Sequence, residues 1–232
     1  MHHRRHTLIG ILAMGSGMLW STQAVAQTAN AAALDEFFTA VMRDNYRGIT
    51  TQLLRGLNPN TPDARGRTGL TLAIRQESWQ VVDTLLVAPG IDINLPNKQG
   101  ETPLMLAAIK GNLPLVKQLI AKGADVNRAG WTPLHYAASA GLEHSVEIAA
   151  YLLDKSAYID APSPNGTTPL MLAAQYSSDA MVRLLLAEGA DLSLRNQQGF
   201  GAVEFAEKSE RDFMVKMLQS THKARNMLQG KW

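Results

Sequence analysis

Few side chains of this chain could do chemistry, and those few are not spaced for catalysis or for binding a metal. Beyond residue 27 the histidines are His135, His144 and His222, which lie far apart and share no common spacing. The 232 residues include no cysteine. That stretch also contains no metal-binding histidine pair, no glycine-rich phosphate loop and no nucleophile elbow. We therefore predict no enzymatic activity, no catalytic residue, no metal and no cofactor.

The acidic side chains recur at a fixed distance instead of clustering. Asp92, Asp125 and Asp191 each stand at the same place in a repeated phrase. Aspartate often accepts hydrogen bonds from nearby backbone amides in turns. A carboxylate that returns with a period therefore indicates a turn of a repeated unit, whereas a catalytic pair would break the period.

The repeated phrase begins with a glycine or serine and returns every 33 or 34 residues. Such self-similarity predicts a stack of supersecondary units in place of one closed core. The five copies are Gly-Leu-Asn-Pro-Asn from Gly56, Gly-Ile-Asp-Ile-Asn from Gly90, Gly-Ala-Asp-Val-Asn from Gly123, Ser-Ala-Tyr-Ile-Asp from Ser156 and Gly-Ala-Asp-Leu-Ser from Gly189.

The unit over residues 100–127 shows how one repeat should fold. Thr102 suits a helix N-cap, and Pro103 suits the first helical position, where its missing N–H is not needed. Gly111 can break the chain between two antiparallel helices. In the second helix Leu119 belongs to an apolar stripe at helical spacing. Gly123 can then adopt the left-handed conformation that ends a helix.

These motifs resemble the ankyrin repeat, whose signature is Thr-Pro-Leu-His-x-Ala on a period of about 33 residues. The signature is complete at Thr132–Ala138 and carries methionine for histidine at 102–105 and 168–171. Weaker copies stand at 68–71 and 201–204. The resemblance covers Leu34 to about Leu218. It implies an all-α ankyrin-repeat solenoid of helix-turn-helix repeats with projecting β-turn fingers.

The resemblance implies about six repeats, of which the first and last are caps that have lost most of the signature. Terminal repeats of a solenoid need a polar outer face. The apolar stripes of the caps are Phe37, Phe38, Val41, Met42, Leu53 and Leu54 in the first, and Val203, Phe205, Ala206, Phe213, Val215, Met217 and Leu218 in the last.

The first residues form a targeting segment. Arg4 and Arg5 precede an apolar run of 14 residues, which is shorter than the roughly 20 residues that span a membrane. Small residues then end at Ala26, so we predict cleavage there and a mature start at Gln27. Because the twin-arginine pattern is partial, the general secretory and twin-arginine routes both stay open. We expect a bacterial protein that is periplasmic or secreted.

The predicted domains are a signal peptide over 1–26, a short linker over 27–33, a repeat domain over 34–219, and a tail or helix extension over 220–232. The whole chain has 22 basic and 20 acidic residues, and the signal holds two of the arginines and no acid. The remaining chain is thus neutral and lacks the basic stripe that nucleic acids require. No second apolar run predicts membrane insertion. We expect a monomer whose partner is another protein.

One finger is shorter than the others. Eight positions separate Asn94 from Thr102, but five separate Asn127 from Thr132. Three extra residues, 142–144, then restore the period. Ordinary loop variation is one interpretation. The other is a notch, with Trp131 at its edge, that receives a partner. The shortened finger also resembles exported bacterial ankyrin proteins.

The family resemblance places partner contacts on the fingers and on the ends of the first helices. Trp131 and Phe200 could alternatively cover the finger stems of their own repeats. The partner would be an envelope protein that is regulated or stabilised, or else an exported toxin or enzyme that is inhibited. The predicted contacts are Arg67, Arg75, Gln76, Lys98, Gln99, Glu101, Ile109, Lys110, Trp131, Ser139, Asn165, Thr167, Gln175, Tyr176 and Phe200.

Overall fold

The computed structural model describes residues 30–229, and over that range it consists of helices and loops without a β-strand. The signal peptide and its cleavage site at Ala26 and Gln27 lie outside the described residues. The helices are α1 (30–42), α2 (Tyr46–Leu54), α3 (Gly69–Gln76), α4 (Trp79–Leu86), α5 (Pro103–Ile109), α6 (Leu113–Ala121), α7 (Pro133–Ala140), α8 (Ser145–Asp154), α9 (Pro169–Tyr176), α10 (Asp179–Ala187), α11 (Ala202–Lys208) and α12 (Asp212–Gln229).

The helices form consecutive pairs that stack in chain order. The first helices of the pairs, α3, α5, α7, α9 and α11, each pack against the next one along the row. One apolar core runs through the whole row, from Phe37 in α1 to Leu218 in α12. The prediction of an all-α repeat solenoid is therefore confirmed.

The local signals of the third repeat act as the sequence predicts. The hydroxyl of Thr102 accepts a hydrogen bond from the backbone amide of Met105 at 3.3 Å, and Pro103 is the first residue of α5. Gly111 and Gly123, which follow α5 and α6, have φ angles of +67° and +92°. Since L side chains rarely adopt such angles, these two glycines set where the chain turns.

Each full finger is a tight hairpin of five residues. In the third repeat the amide of Asn97 donates to the carbonyl of Glu101 at 3.0 Å, and the Asn97 side chain accepts from the amides of Gln99 and Glu101. Similar hairpins begin at Asp63, Ser163 and Asn196. Residues 127–131, all within the described part of the chain, close no such hairpin. The finger between α6 and α7 is thus short, as the spacing predicts.

The first cap explains why the copy of the signature at 68–71 is weak. Gly69 stands where the third to fifth repeats have proline, and the ring of Phe37 from α1 lies against it. A Cβ atom added at Gly69 would come within 2.7 Å of that ring. A side chain at this position would therefore displace the cap.

The predicted stripes of the caps need correction. Met42, Leu54 and Phe213 are exposed, whereas Met214 and Leu218 are buried in the last repeat. Because α12 begins at Asp212, Met214 and Leu218 lie one helical turn apart on the face toward α11, and Phe213 lies beside that face.

The repeat domain begins earlier than predicted, and its last helix continues as one of the two predicted alternatives for the C-terminal segment holds. Residues 30–33, assigned to a linker, are already helical, and α12 continues through Gln229. The extension of α12 caps the end of α10. The guanidinium of Arg225 donates to the carbonyl oxygens of Leu186 at 2.5 Å and Ala190 at 2.7 Å. The segment after 219 is therefore a helix extension through 229.

Asparagine side chains bridge neighbouring repeats at the start of each finger. The amide nitrogen of Asn60 donates to the carbonyl of Gly90 at 2.7 Å, and its oxygen accepts from the amide of Asp92 at 2.9 Å. Asn94 and Asn127 repeat this bridge one and two repeats later. At the fourth bridge the residue is Asp160, which accepts from the amide of Asp191 but, as a carboxylate, has no hydrogen to donate.

Replacing Asp160 by asparagine is expected to stabilise the fold. Burial, together with the nearby Asp191 carboxylate, raises the pKa of Asp160, which shows that the folded state disfavours its charge. The wild type therefore loses stability as pH rises through that pKa. We expect Asp160→Asn to add about 0.5–1.5 kcal/mol to the free energy of unfolding at neutral pH, and less in acid, as measured by urea denaturation.

The control for this substitution is Asp125→Asn. Asp125 is exposed, and the substitution removes the same charge. It should change stability by less than about 0.5 kcal/mol. An equal gain in both variants would mean that the loss of a negative charge, and not the bridge, is responsible.

None of the helices described is both long enough and apolar enough to cross a membrane.

Candidate protein-binding face

A recess opens where the short finger leaves the inner helices uncovered. We call this recess the notch. It has a volume of about 350 Å³ and draws its walls from α5, α7 and α9 of three successive repeats. The residues that line it are Ile109, Trp131, His135, Tyr136, Ser139, Leu172 and Tyr176.

Two aromatic side chains of the notch face outward. Trp131 is 40% exposed and Tyr176 is 59% exposed. The Trp131 ring meets the His135 ring edge-on, with 5.2 Å between the ring centroids. Trp131 therefore packs on its own repeat, which is one of the two interpretations of the sequence. It still presents a large apolar surface to solvent.

His135 holds the base of the notch. Its Nδ1 accepts from the amide of Thr132 at 3.1 Å, so its Nε2 carries the proton and donates to the carbonyl of Thr167 in the next repeat at 3.0 Å. Burial lowers the pKa of His135, which favours this neutral form. The predicted structural role of His135, a tie between neighbouring repeats, is confirmed.

A second recess, which we call the groove, lies between the second and third repeats and also measures about 350 Å³. Its lining is polar and basic. Within it, two guanidinium nitrogens of Arg67 contact Asp63 Oδ2 at 2.6 and 2.7 Å. Burial alone would raise the pKa of Asp63, but hydrogen bonds from the Arg67 amide and side chain lower it overall. The groove is lined by Arg65, Arg67, Thr71, Leu72, Arg75, Gln76, Asn97, Gln99 and Glu101.

Glu101, which lines the groove, connects it to the notch through Tyr136. On the groove side it pairs with Arg75, and on the notch side its Oε1 accepts from the Tyr136 hydroxyl at 3.3 Å. Burial and the Glu101 charge raise the pKa of Tyr136 to about 12. Tyr136 therefore stays protonated at neutral pH, and its hydrogen bond to Glu101 links the linings of the two recesses.

Nine of the fifteen predicted contact residues line these two recesses. The notch holds Ile109, Trp131, Ser139 and Tyr176, and the groove holds Arg67, Arg75, Gln76, Gln99 and Glu101. Lys98 and Asn165 are exposed on their fingers, and Gln175 is half-buried on α9. Lys110 pairs with Glu77 across the repeat boundary, with 2.8 Å between Nζ and Oε1.

Two of the predicted contact residues pack against other residues of this chain. Thr167 is 3% exposed, so the prediction that its side chain meets a partner needs correction. Its amide and carbonyl both bond to Ser163, and its carbonyl also accepts from His135, which fixes it between two repeats. Phe200 is half-buried, and Nζ of Lys208 lies 3.4 Å from its ring centroid. This contact favours the interpretation that Phe200 covers its own repeat.

Sequence reasoning missed two walls of the notch, Tyr136 and Leu172. Helical spacing could have found both. Tyr136 lies three residues before Ser139, and Leu172 lies three and four residues before Gln175 and Tyr176. Residues three or four apart share one face of a helix. Tyr136 therefore lies on the face of α7 that carries Ser139, and Leu172 lies on the face of α9 that carries Gln175 and Tyr176.

The chain is also similar to known proteins. A family model for ankyrin repeats (3 copies) matches residues 37–129, 77–163, 126–196 and 144–228. Ankyrin repeat and SAM domain-containing protein 6 of Mus musculus is 33% identical over 156 residues, 64% of this chain and 17% of that protein. Putative palmitoyltransferase ZDHHC13 of Danio rerio is 35% identical over 150 residues, 62% of this chain and 23% of that protein.

The chain thus spans about a fifth of the length of these curated relatives. Both relatives are eukaryotic, and the resemblance to exported bacterial members stays a prediction. The matches to the family model together cover nearly all of the described helices. The chain belongs to the ankyrin-repeat family, whose members typically act as non-enzymatic scaffolds for protein–protein interaction.

Proposed function

We propose that this chain is a periplasmic interaction module that binds an envelope protein through the notch and the groove, and so regulates or stabilises that protein. The observation that carries the proposal is the notch. There, apolar and aromatic side chains from three repeats converge on one open recess beside the short finger.

The chemistry of the notch fits protein recognition. Single exposed apolar side chains are common on protein surfaces and need no explanation. Trp131 and Tyr176, however, come from different repeats and stand over Ile109 and Leu172 in the same recess. Tryptophan and tyrosine are enriched among the residues that dominate binding energy at interfaces. A partner side chain that filled this recess would bury the exposed parts of both rings.

The proposed periplasmic location rests on the N-terminal segment. Its basic start, its short apolar run and the small residues that end at Ala26 are typical of a secretory signal. We expect the protein isolated from a periplasmic fraction to begin at Gln27 by mass spectrometry. Recovery of the uncleaved chain from the cytoplasm would contradict the proposed location but would not bear on the proposed binding face.

Removing either exposed aromatic ring of the notch is expected to weaken partner binding. We expect Trp131→Ala and Tyr176→Ala each to cost more than about 1 kcal/mol, a loss of more than about fivefold in Kd. The partner would be captured from periplasmic extract with the wild-type chain and titrated by calorimetry. Thermal melting would confirm that both variants stay folded.

Tyr158→Ala is the matched control, because Tyr158 is 67% exposed but lies outside both recesses. Its substitution should leave the affinity unchanged. Wild-type affinity in both notch variants, or an equal loss in the control, would remove the assignment of the binding face. The activity of the captured protein, measured with and without an excess of this chain, then distinguishes the two roles. A stabilised partner keeps its activity, and an inhibited partner loses it.

A further inference from the structure

Positive charge is concentrated on the fingers and inner helices of the second to fourth repeats. Residues 61–77, 95–111 and 126–141 contain six basic and three acidic side chains, a net charge of +3. The corresponding segments of the next two repeats, 159–178 and 192–208, contain two basic and three acidic side chains. The binding face is therefore basic at one end, and the notch overlaps the edge of the basic part.

All three carboxylates of this basic region already have partners in the protein. Asp63 pairs with Arg67, Glu77 with Lys110, and Glu101 with Arg75. Three cations remain, and each is exposed. Within residues 30–229, no carboxylate lies within ion-pair distance of them. These cations are Arg65, Lys98 and Arg128.

The three cations form a row along the fingers. Arg65 lies in the finger of the second repeat, Lys98 in that of the third and Arg128 in the short finger of the fourth. The row is held together by the backbone, since the amide of Lys98 donates to the carbonyl of Gly66 at 2.9 Å. Arg128 continues the row by donating from its guanidinium to the carbonyl of Gly100 at 3.0 Å.

We propose that the partner presents an extended segment with acidic residues over this row and a bulky apolar side chain in the notch. The inference rests on the proposed function and specifies the partner's chemistry by charge complementarity. Acidic side chains would meet cations that pair with no carboxylate among residues 30–229, and would steer the segment toward them. The apolar side chain would displace water from Trp131 and Tyr176.

The geometry also fixes the spacing of the two groups. Arg65, at the far end of the row, lies in the second repeat, whose inner helix is α3, and the centre of the notch belongs to α7, two steps along the inner helices. Packed helices lie about 8–10 Å apart, which places the two points about 16–20 Å from each other. An extended chain rises about 3.3 Å per residue. About five or six residues should therefore separate the acidic and apolar groups.

Synthetic peptides test the inference directly on the chain that begins at Gln27. The probe is a fluorescein-labelled peptide with three aspartates, a five-residue Gly/Ser spacer and a Trp-Leu pair. We expect it to bind at least tenfold more tightly, by fluorescence anisotropy, than matched peptides with Asn for Asp, with Ser for Trp-Leu, or with no spacer. Equal affinity of the Asp and Asn peptides would overturn the inference.

Two double variants test the protein side. Arg65→Ser with Lys98→Ser removes two cations of the row, and Lys122→Ser with Lys216→Ser removes two exposed cations elsewhere. Both change the net charge by the same amount. We expect at least a fivefold loss of peptide affinity in the first and less than twofold in the second. Equal losses would indicate non-specific attraction and overturn the inference.

The failure of this inference can be told apart from that of the proposed function. A natural partner that is lost with Trp131→Ala but binds normally to the Arg65 and Lys98 double variant would keep the binding face and overturn the acidic segment. A partner that is unaffected by the notch variants would overturn the proposed function. A partner that is lost with both would support both.

Discussion

Replacing Leu119 by aspartate is expected to unfold several repeats in one transition. Leu119 lies in α6 with no exposed surface, inside the core that neighbouring repeats share. The substitution removes a large apolar side chain and buries a carboxylate without a partner. Either change alone costs several kcal/mol, so we expect a loss of at least about 3–5 kcal/mol in the free energy of unfolding.

The effect should spread beyond the helix that carries the substitution, because repeats of a solenoid are stabilised by their interfaces. Urea denaturation would measure the loss, and hydrogen exchange would show amides from α5 to α8 losing protection together. Gln118→Asp introduces the same side chain one position earlier, on the exposed face of α6. It should cost less than about 1 kcal/mol. Loss of protection confined to α6 would contradict cooperative stacking.

The sequence sufficed for the fold because the decisive signals are local and repeated. A cap at Thr102, a proline at Pro103 and a turn glycine at Gly111 each need only their neighbours, and the 33-residue period carries them through the chain. The terminal repeats lack these signals. There the helix register alone decides which side is buried, which is why Phe213 is exposed and Met214 is in the core.

The contact positions could be predicted only by analogy between repeats, and equivalent positions do not behave alike. Trp131 and Thr167 both precede the Thr-Pro signature. Trp131 follows a short finger that leaves it uncovered, whereas Thr167 closes a complete hairpin and is buried. The notch itself combines side chains from three repeats. Its existence depends on how the helices stack, which no single repeat encodes.

His135 makes the stability of the stacked repeats depend on pH. It is fully buried and neutral, with a pKa below its ordinary value of 6.5 because burial disfavours the charged ring. In the unfolded chain the same residue takes up a proton near pH 6.5. The unfolded state therefore binds more protons as pH falls below 6.5, and the folded state loses stability over that range. We expect urea midpoints of the wild type to decline from pH 6.5 toward the lower pKa of folded His135.

Two substitutions separate the charge of His135 from its packing. His135→Ala removes the ring and leaves the amide of Thr132 unpaired, so we expect a loss of about 2–4 kcal/mol at pH 7.5. His135→Met should cost less, because Met105 fills the same place in α5 with its sulfur 3.4 Å from the Thr102 amide. His135→Met should also show a shallower decline of stability below pH 6.5. An acid decline as steep as that of the wild type would assign the pH dependence to other groups, because His144 and His222 are present in both proteins.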